Sequence, residues 1–179
     1  MDDTAANLVL VGPMGAGKSS IGRKLAQALS LTFIDADREL ETRTGASVAD
    51  IFACEGEAGF RKRESALLAE LLRGRRQLIA TGGGVVLDAG NRERLRTQAF
   101  VVHLHVGVHE QLRRLSRDRT RPLLQRPDRE TVLAAMAQER APHYAQVAHL
   151  RVDTDGRTPE AACRMVLPAI RERWTGAGA

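Results

Sequence analysis

One short stretch near the amino end constrains this chain more than any other. Gly12-Pro13-Met14-Gly15-Ala16-Gly17-Lys18-Ser19 fits the phosphate-binding pattern G-x-x-x-x-G-K-[ST] at every fixed position. Leu8-Val9-Leu10-Val11 before it reads as a buried parallel strand. After it, Ile21, Leu25, Ala28 and Leu29 recur at helical spacing. Strand, glycine loop and helix together are the context this motif requires. Gly12, Gly15 and Gly17 let the backbone curl so that its N–H groups point inward. A helix starting near Lys18 adds its positive dipole end. Gly15, Ala16, Gly17, Lys18, Ser19 and Ser20 are therefore the expected cradle for the phosphates of a nucleotide. Lys18 reaches the β- and γ-phosphates, and the Ser19 hydroxyl is a ligand for Mg²⁺.

The motif does not name the acceptor, so the rest of the chain must. At 179 residues the chain is expected to be one domain, 1–179, with a core large enough to need no staples. Cys54 and Cys163 lie far apart without metal-ligand spacing, which suits free thiols in a reducing cytoplasm. The start is acidic and polar, unlike a signal peptide, and no apolar run reaches membrane-spanning length. The formal charge is +5, carried mostly by arginine. Aromatic residues are only 3%, poor material for stacking bases. Anionic small molecules are favoured over nucleic acid as partners.

Leu31-Thr32-Phe33-Ile34 reads as a second strand ending at Asp35-Ala36-Asp37. Ligands collect at the carboxyl ends of parallel strands, and alternation in an extended segment would place both carboxylates on one side. The bland alternative is that one of them caps the helix starting near Arg38. Ser47 and Asp50 form a capping-box pattern for a short helix, Gly56 reads as its stop, and Phe60, Leu67, Leu68 and Leu71 make the core stripe of the next. Gln77-Leu78-Ile79-Ala80 is a third strand, running into Thr81-Gly82-Gly83-Gly84, where the backbone can approach a ligand closely. That strand lacks a following acidic residue, so Asp35 is the expected support for the metal.

Residues 99–106 alternate as a fourth strand, with His103 and His105 on one face; we read them as packing or hydrogen-bonding residues. A helix from Val108 to about Arg117 leads into an arginine-rich segment around Pro122 and Pro127. In a phosphate-loop protein such a segment, about residues 114–127, suits a mobile lid. Asp128 is the expected cap of a helix to about Arg140, and Val147–Val152 the fifth strand. Thr158-Pro159 opens the last helix. Strands alternating with helices imply an α/β three-layer domain around a parallel sheet.

Together these motifs resemble the shikimate kinase family. The resemblance rests on the phosphate loop, Phe33-Ile34-Asp35-Ala36-Asp37, Gly56-Glu57-Ala58-Gly59-Phe60-Arg61, Thr81-Gly82-Gly83-Gly84, Arg121-Pro122-Leu123-Leu124, and Glu139-Arg140 followed by Tyr144. It implies a P-loop kinase fold with sheet order 2-3-1-4-5 and ATP-dependent phosphorylation of the shikimate 3-hydroxyl, on the route to chorismate. It implies that Asp37 contacts the accepting hydroxyl, that Arg61 and Arg140 grip the substrate carboxylate, and that an N–H near Gly83 holds the ring. Ser19 and Asp35 then support Mg²⁺, Arg121 reaches the γ-phosphate, and Arg114 and Arg157 flank the adenine. A cytoplasmic monomer is expected. A gluconate kinase of the same fold is the nearer alternative, and Phe60-Arg61 with the glycine triplet argues against it. A nucleotide-binding module without kinase activity is the farther one, and it leaves Asp37, Arg61 and Arg140 without a purpose.

Overall fold

The computed structural model describes residues 6–116 and 126–174. Its strands are β1 (Leu8–Val11), β2 (Thr32–Asp35), β3 (Gln77–Ala80), β4 (Phe100–His105) and β5 (Leu150–Asp153). They pair in parallel in the order β2-β3-β1-β4-β5, as the resemblance implies. The helices are α1 (Lys18–Leu29), α2 (Ala36–Thr44), α3 (Val48–Leu71), α4 (Ala89–Gln98), α5 (Val108–Leu115), α6 (Arg129–Val147) and α7 (Pro159–Arg173).

The strand alternation of β1 builds both faces of the core. Leu8 and Leu10 join Ile21 and Leu25 of α1 and Val166 and Ile170 of α7. Val9 and Val11 join Leu68 and Leu71 of α3, Leu95 of α4, and Tyr144 and Val147 of α6. All four β1 side chains are fully buried, each contributing about 1.5–3 kcal/mol. A strand covered on both faces reads as an unbroken apolar run.

At the lower end of β1 sits a buried polar anchor. Asn7 Nδ2 donates to the carbonyls of Leu72 and Gly74 at 3.3 and 2.7 Å, and its Oδ1 accepts from the Gln77 amide at 3.1 Å. This ties β1 to the turn between α3 and β3. Leu10 then stands level with Ala80, Val11 with His103, and Asp35 with Ala80. The register brings the phosphate loop, Asp35 and the glycine triplet to one edge of the sheet, where parallel sheets bind ligands.

Four expectations need correction. Asp37 is not in an extended segment; it is the second residue of α2. The helix expected to end near Arg140 runs on to Val147 through Pro142. A proline there removes a backbone bond and costs about 3 kcal/mol. Burial of Tyr144 and Val147 beyond it offsets that cost, so Val147 is helical and β5 starts at Leu150. Asp128 does occupy the N-cap position, but its carboxylate makes no cap bond. It accepts instead from Arg126 Nε and Nη2, both at 2.8 Å. Gly56 interrupts α3 as expected, with φ 70° and ψ −177° kinking one long helix. The expected lid begins too early, because Arg114 and Leu115 are the last turn of α5. Residues 117–125, with Arg121, lie outside the described residues.

Candidate active site

The loop between β1 and α1 has the backbone its glycines predict. Gly15 and Gly17 adopt φ of 77° and 90°. At Gly12, φ is 147° and an added Cβ would stand 2.2 Å from the Leu104 carbonyl oxygen, so only glycine fits. α1 starts at Lys18 with Gly17 as a cap that offers no side-chain acceptor, which leaves its first N–H groups for an anion. Lys18 Nζ donates to the carbonyls of Gly12 and Pro13 at 2.7 and 2.9 Å. Ser20 follows on the exposed side of the first turn.

Asp35 does two jobs at once. Its Oδ1 caps α2 by accepting from the Arg38 amide at 3.3 Å, and its Oδ2 accepts from Ser19 Oγ at 2.6 Å. The capping reading of this carboxylate accounts for one oxygen, and the other faces Ser19. Ser19 and Asp35 present adjacent hard oxygen donors, the kind that suits Mg²⁺.

The glycine triplet is a bare strip on which charged side chains lie. A Cβ on Gly82 would stand 2.7 Å from Glu64 Oε1 and 3.1 Å from Asp37 Oδ1. One on Gly84 would stand 2.2 Å from Arg61 Nη2, and one on Gly83 3.5 Å from both Arg140 Nη1 and the Met14 amide nitrogen. This packing explains glycine at 82 and 84; at Gly83 a Cβ would make only ordinary contacts. Tyr144 Oη donates to the Gly83 carbonyl at 2.6 Å, and burial pushes its phenol up to about 12. Thr81 Oγ1 donates to the Leu10 carbonyl at 2.9 Å, fixing the strip beside β1.

Asp37, Arg61, Gly83 and Arg140 therefore converge, from α2, α3, the β3 loop and α6. Sequence reading overlooked a fifth member, Glu64. It lies one helical turn from Arg61, its Oε2 2.6 Å from Arg61 Nη1. Burial pushes the Glu64 carboxyl up, Arg61 and more weakly Arg140 pull it back, and Asp37 adds to the push. Arg61 Nε, Arg140 Nε and Glu64 Oε1 are buried without a hydrogen-bond partner among the described residues. The i,i+3 spacing to Arg61 was the available signal for Glu64.

Arg114 leaves α5 toward the loop. Its Nε donates to Glu110 Oε1 at 2.8 Å, and its Nη1 to the Gly15 carbonyl at 3.0 Å and Thr154 Oγ1 at 3.1 Å. A further bond joins Nη2 to the Thr154 carbonyl. Hydrogen bonds from Arg113 and Arg114 hold the Glu110 carboxyl down at about 2. Exposed Arg157 lies in the same β5–α7 loop as Thr154, where its amide donates to the Thr154 carbonyl at 3.1 Å. Both arginines expected at the adenine thus meet the Thr154 loop, Arg114 from α5 and Arg157 from within it.

His103 packs as expected, stacked on Tyr144 with ring centroids 4.6 Å apart. No cluster of three or more His, Cys, Asp or Glu able to hold a metal occurs among the described residues. Burial, with smaller effects from His105, Arg151 and Lys18, holds the His103 imidazole down from 6.5 to about 4. The folded state thus keeps His103 neutral, while the unfolded chain takes up a proton below about 6.5. Its contribution is complete above that pH and is lost as pH falls toward about 4, by about 3 kcal/mol in all. His103→Phe keeps the stack and should flatten that part of a urea-denaturation stability profile; an unaltered slope would place the acid sensitivity elsewhere.

Fold and loop define a P-loop phosphotransferase built for a small molecule. The comparisons with known proteins narrow the class. The chain matches the shikimate kinase family over residues 14–171 and belongs to that family. It is 51% identical to the shikimate kinase of Xanthomonas campestris pv. campestris (strain 8004) over 170 residues, 95% of this chain and 94% of the relative. The solved shikimate kinase from Acinetobacter baumannii in complex with shikimate superposes with a TM-score of 0.87 at 42% identity, covering 95% of this chain and 96% of that one. A gluconokinase from Sinorhizobium meliloti 1021 has a TM-score of 0.61 at 17% identity, covering 96% of this chain and 94% of that one, a likeness of fold alone. The chain is a kinase, with ATP as its phosphoryl donor.

Proposed function

We propose that this kinase transfers the γ-phosphoryl group of ATP to the 3-hydroxyl of shikimate, giving shikimate 3-phosphate and ADP. The observation that carries the reading is the convergence of Asp37, Arg61, Glu64 and Arg140 on the glycine strip beside the phosphate loop. The likeness to a relative solved with shikimate supports the choice of acceptor. Phosphoryl transfer needs charge neutralisation and alignment more than covalent help. The N–H groups from Gly15 to Ser20 and the Lys18 ammonium hold the phosphates. Asp37 orients the accepting hydroxyl and takes its proton. Arg61 and Arg140 fork onto the carboxylate, and the N–H near Gly83 holds the ring. Glu64 fixes the Arg61 guanidinium for that grip.

Ser19 and Asp35 would hold Mg²⁺, which supplies positive charge to the phosphates when bound. The family resemblance alone assigns Arg121 to the γ-phosphate, and it assigns Arg114 and Arg157 to the adenine side. The reading extends to one kinase domain over residues 1–179, a monomer acting in the cytoplasm. No helix among the described residues is long and apolar enough to cross a membrane. Size-exclusion chromatography checks the monomer.

ADP release with shikimate, with gluconate and without acceptor tests the function. Turnover should require shikimate; faster release with gluconate, or equal release without acceptor, would overturn the reading.

The carboxylate grip has its own test. Arg140→Ala should weaken shikimate binding by about 1.5–3 kcal/mol, the worth of a charge-assisted hydrogen bond. Arg61→Ala is a less clean probe, since it strands the buried Glu64 carboxylate. An analogue lacking the carboxylate should bind wild type and Arg140→Ala alike. Full discrimination by the variant would mean the carboxylate is held elsewhere.

A further inference from the structure

A loop that turns its N–H groups toward an anion turns its carbonyls away, because a trans peptide carries the two on opposite sides. Carbonyls sheltered from water need donors of their own. Four successive carbonyls of this loop have them. Lys18 serves Gly12 and Pro13. The Met14 carbonyl accepts from Gln111 Nε2 at 2.9 Å, and the Gly15 carbonyl from Arg114 Nη1 at 3.0 Å. The latter two donors stand three residues apart on α5, hence on one face.

Gln111 is 3% exposed, unusual for a side chain of this polarity. Its bond reaches 97 residues back along the chain. The fit beneath it is close. With φ at 77°, Gly15 would place a Cβ 3.2 Å from Leu115 Cγ and 3.5 Å from Gln111 Cγ. α5 is therefore seated directly on the outer turn of the loop.

We propose that Gln111 is a positioning residue for the phosphate loop. By holding the Met14 carbonyl toward α5, it keeps the N–H of the same peptide, that of Gly15, turned to the phosphates of a nucleoside di- or triphosphate. The inference rests on ATP binding at this loop and adds a residue from outside the motif. Arg114 cannot be tested as simply, because it also bonds Glu110 and Thr154.

Gln111→Leu and Gln111→Met remove the donor and keep the bulk. Gln111→Glu keeps the shape but sets a carboxylate against the carbonyl. Calorimetric titration of the purified full chain with ADP, adenosine and shikimate separates the roles. ADP binding should weaken roughly tenfold in Gln111→Leu, as expected when a part-buried carbonyl loses its partner, and further in Gln111→Glu. Adenosine and shikimate affinities should stay as in wild type, and KM for ATP should rise while KM for shikimate holds. Unchanged ADP affinity in folded Gln111→Leu or Gln111→Met overturns the proposal. An equal loss for adenosine or shikimate also overturns it, by making Gln111 a general structural strut. A wild type that binds ADP but ignores shikimate would fail the functional reading and leave this comparison intact.

Discussion

Lys18→Met is expected to lower kcat by at least about a hundredfold, the usual cost of deleting one preorganised electrostatic contact. Methionine keeps the length of the side chain and discards its charge. Lys18 stands at the first position of α1, where the helix dipole and the inward N–H groups already favour an anion. Its ammonium adds a full charge beside the group that moves, where negative charge spreads over the transferring oxygens. The substitution also takes a donor from the Gly12 and Pro13 carbonyls, although Pro13 keeps a bond from the Ala16 amide at 3.2 Å. ATP affinity should consequently fall as well, by less than kcat. The measurement is kcat at saturating ATP and shikimate, beside the melting temperature. Near-normal turnover by a folded variant would sink the mechanism.

Asp37→Asn should be of similar size and opposite character. The amide preserves the shape and cannot take a proton, so kcat should drop by about 10²–10⁴ while ATP affinity barely moves. The position suits a base. Asp37 lies in the first turn of α2, whose dipole favours the carboxylate, and an added Cβ on Gly82 would lie 3.1 Å from its Oδ1. Because Glu64 shares that strip, the variant also relieves a like-charge contact, and shikimate should bind no worse. Loss of ATP affinity with shikimate binding retained would move Asp37 to the metal side and leave the acceptor hydroxyl without a base.

The features legible in the sequence are those set by local backbone need. The phosphate loop, the Ser47–Asp50 capping box, the break at Gly56 and the Thr158-Pro159 helix start each follow from neighbours in the chain. So does the apolar run of β1, whose burial on both faces leaves no room for polar alternation. The features overlooked depend on distant partners. α6 ignores Pro142 because Tyr144 and Val147 reach the core beyond it. Asp37 turns helical because Asp35 caps α2 two residues earlier than alternation suggests. Gln111 looks like a solvated helix residue until the Met14 carbonyl is found beside it. The order of the strands came from the resemblance, since propensity and periodicity carry no information on which strand lies next to which.

The central place of β1 bears on how the chain comes to be folded at all. Leu8 is flanked by Leu78 on one side and Phe100 on the other, and the tight turn at Gly12 rests against the carbonyl of Leu104. During synthesis β1 emerges well before its neighbours β3 and β4. Such long-range parallel pairing is slow to form and leaves apolar strands uncovered meanwhile. The nascent chain therefore carries the whole nucleotide motif for a long interval before any scaffold exists to shape it. The ribosome must release β4 before β1 can be enclosed on both sides.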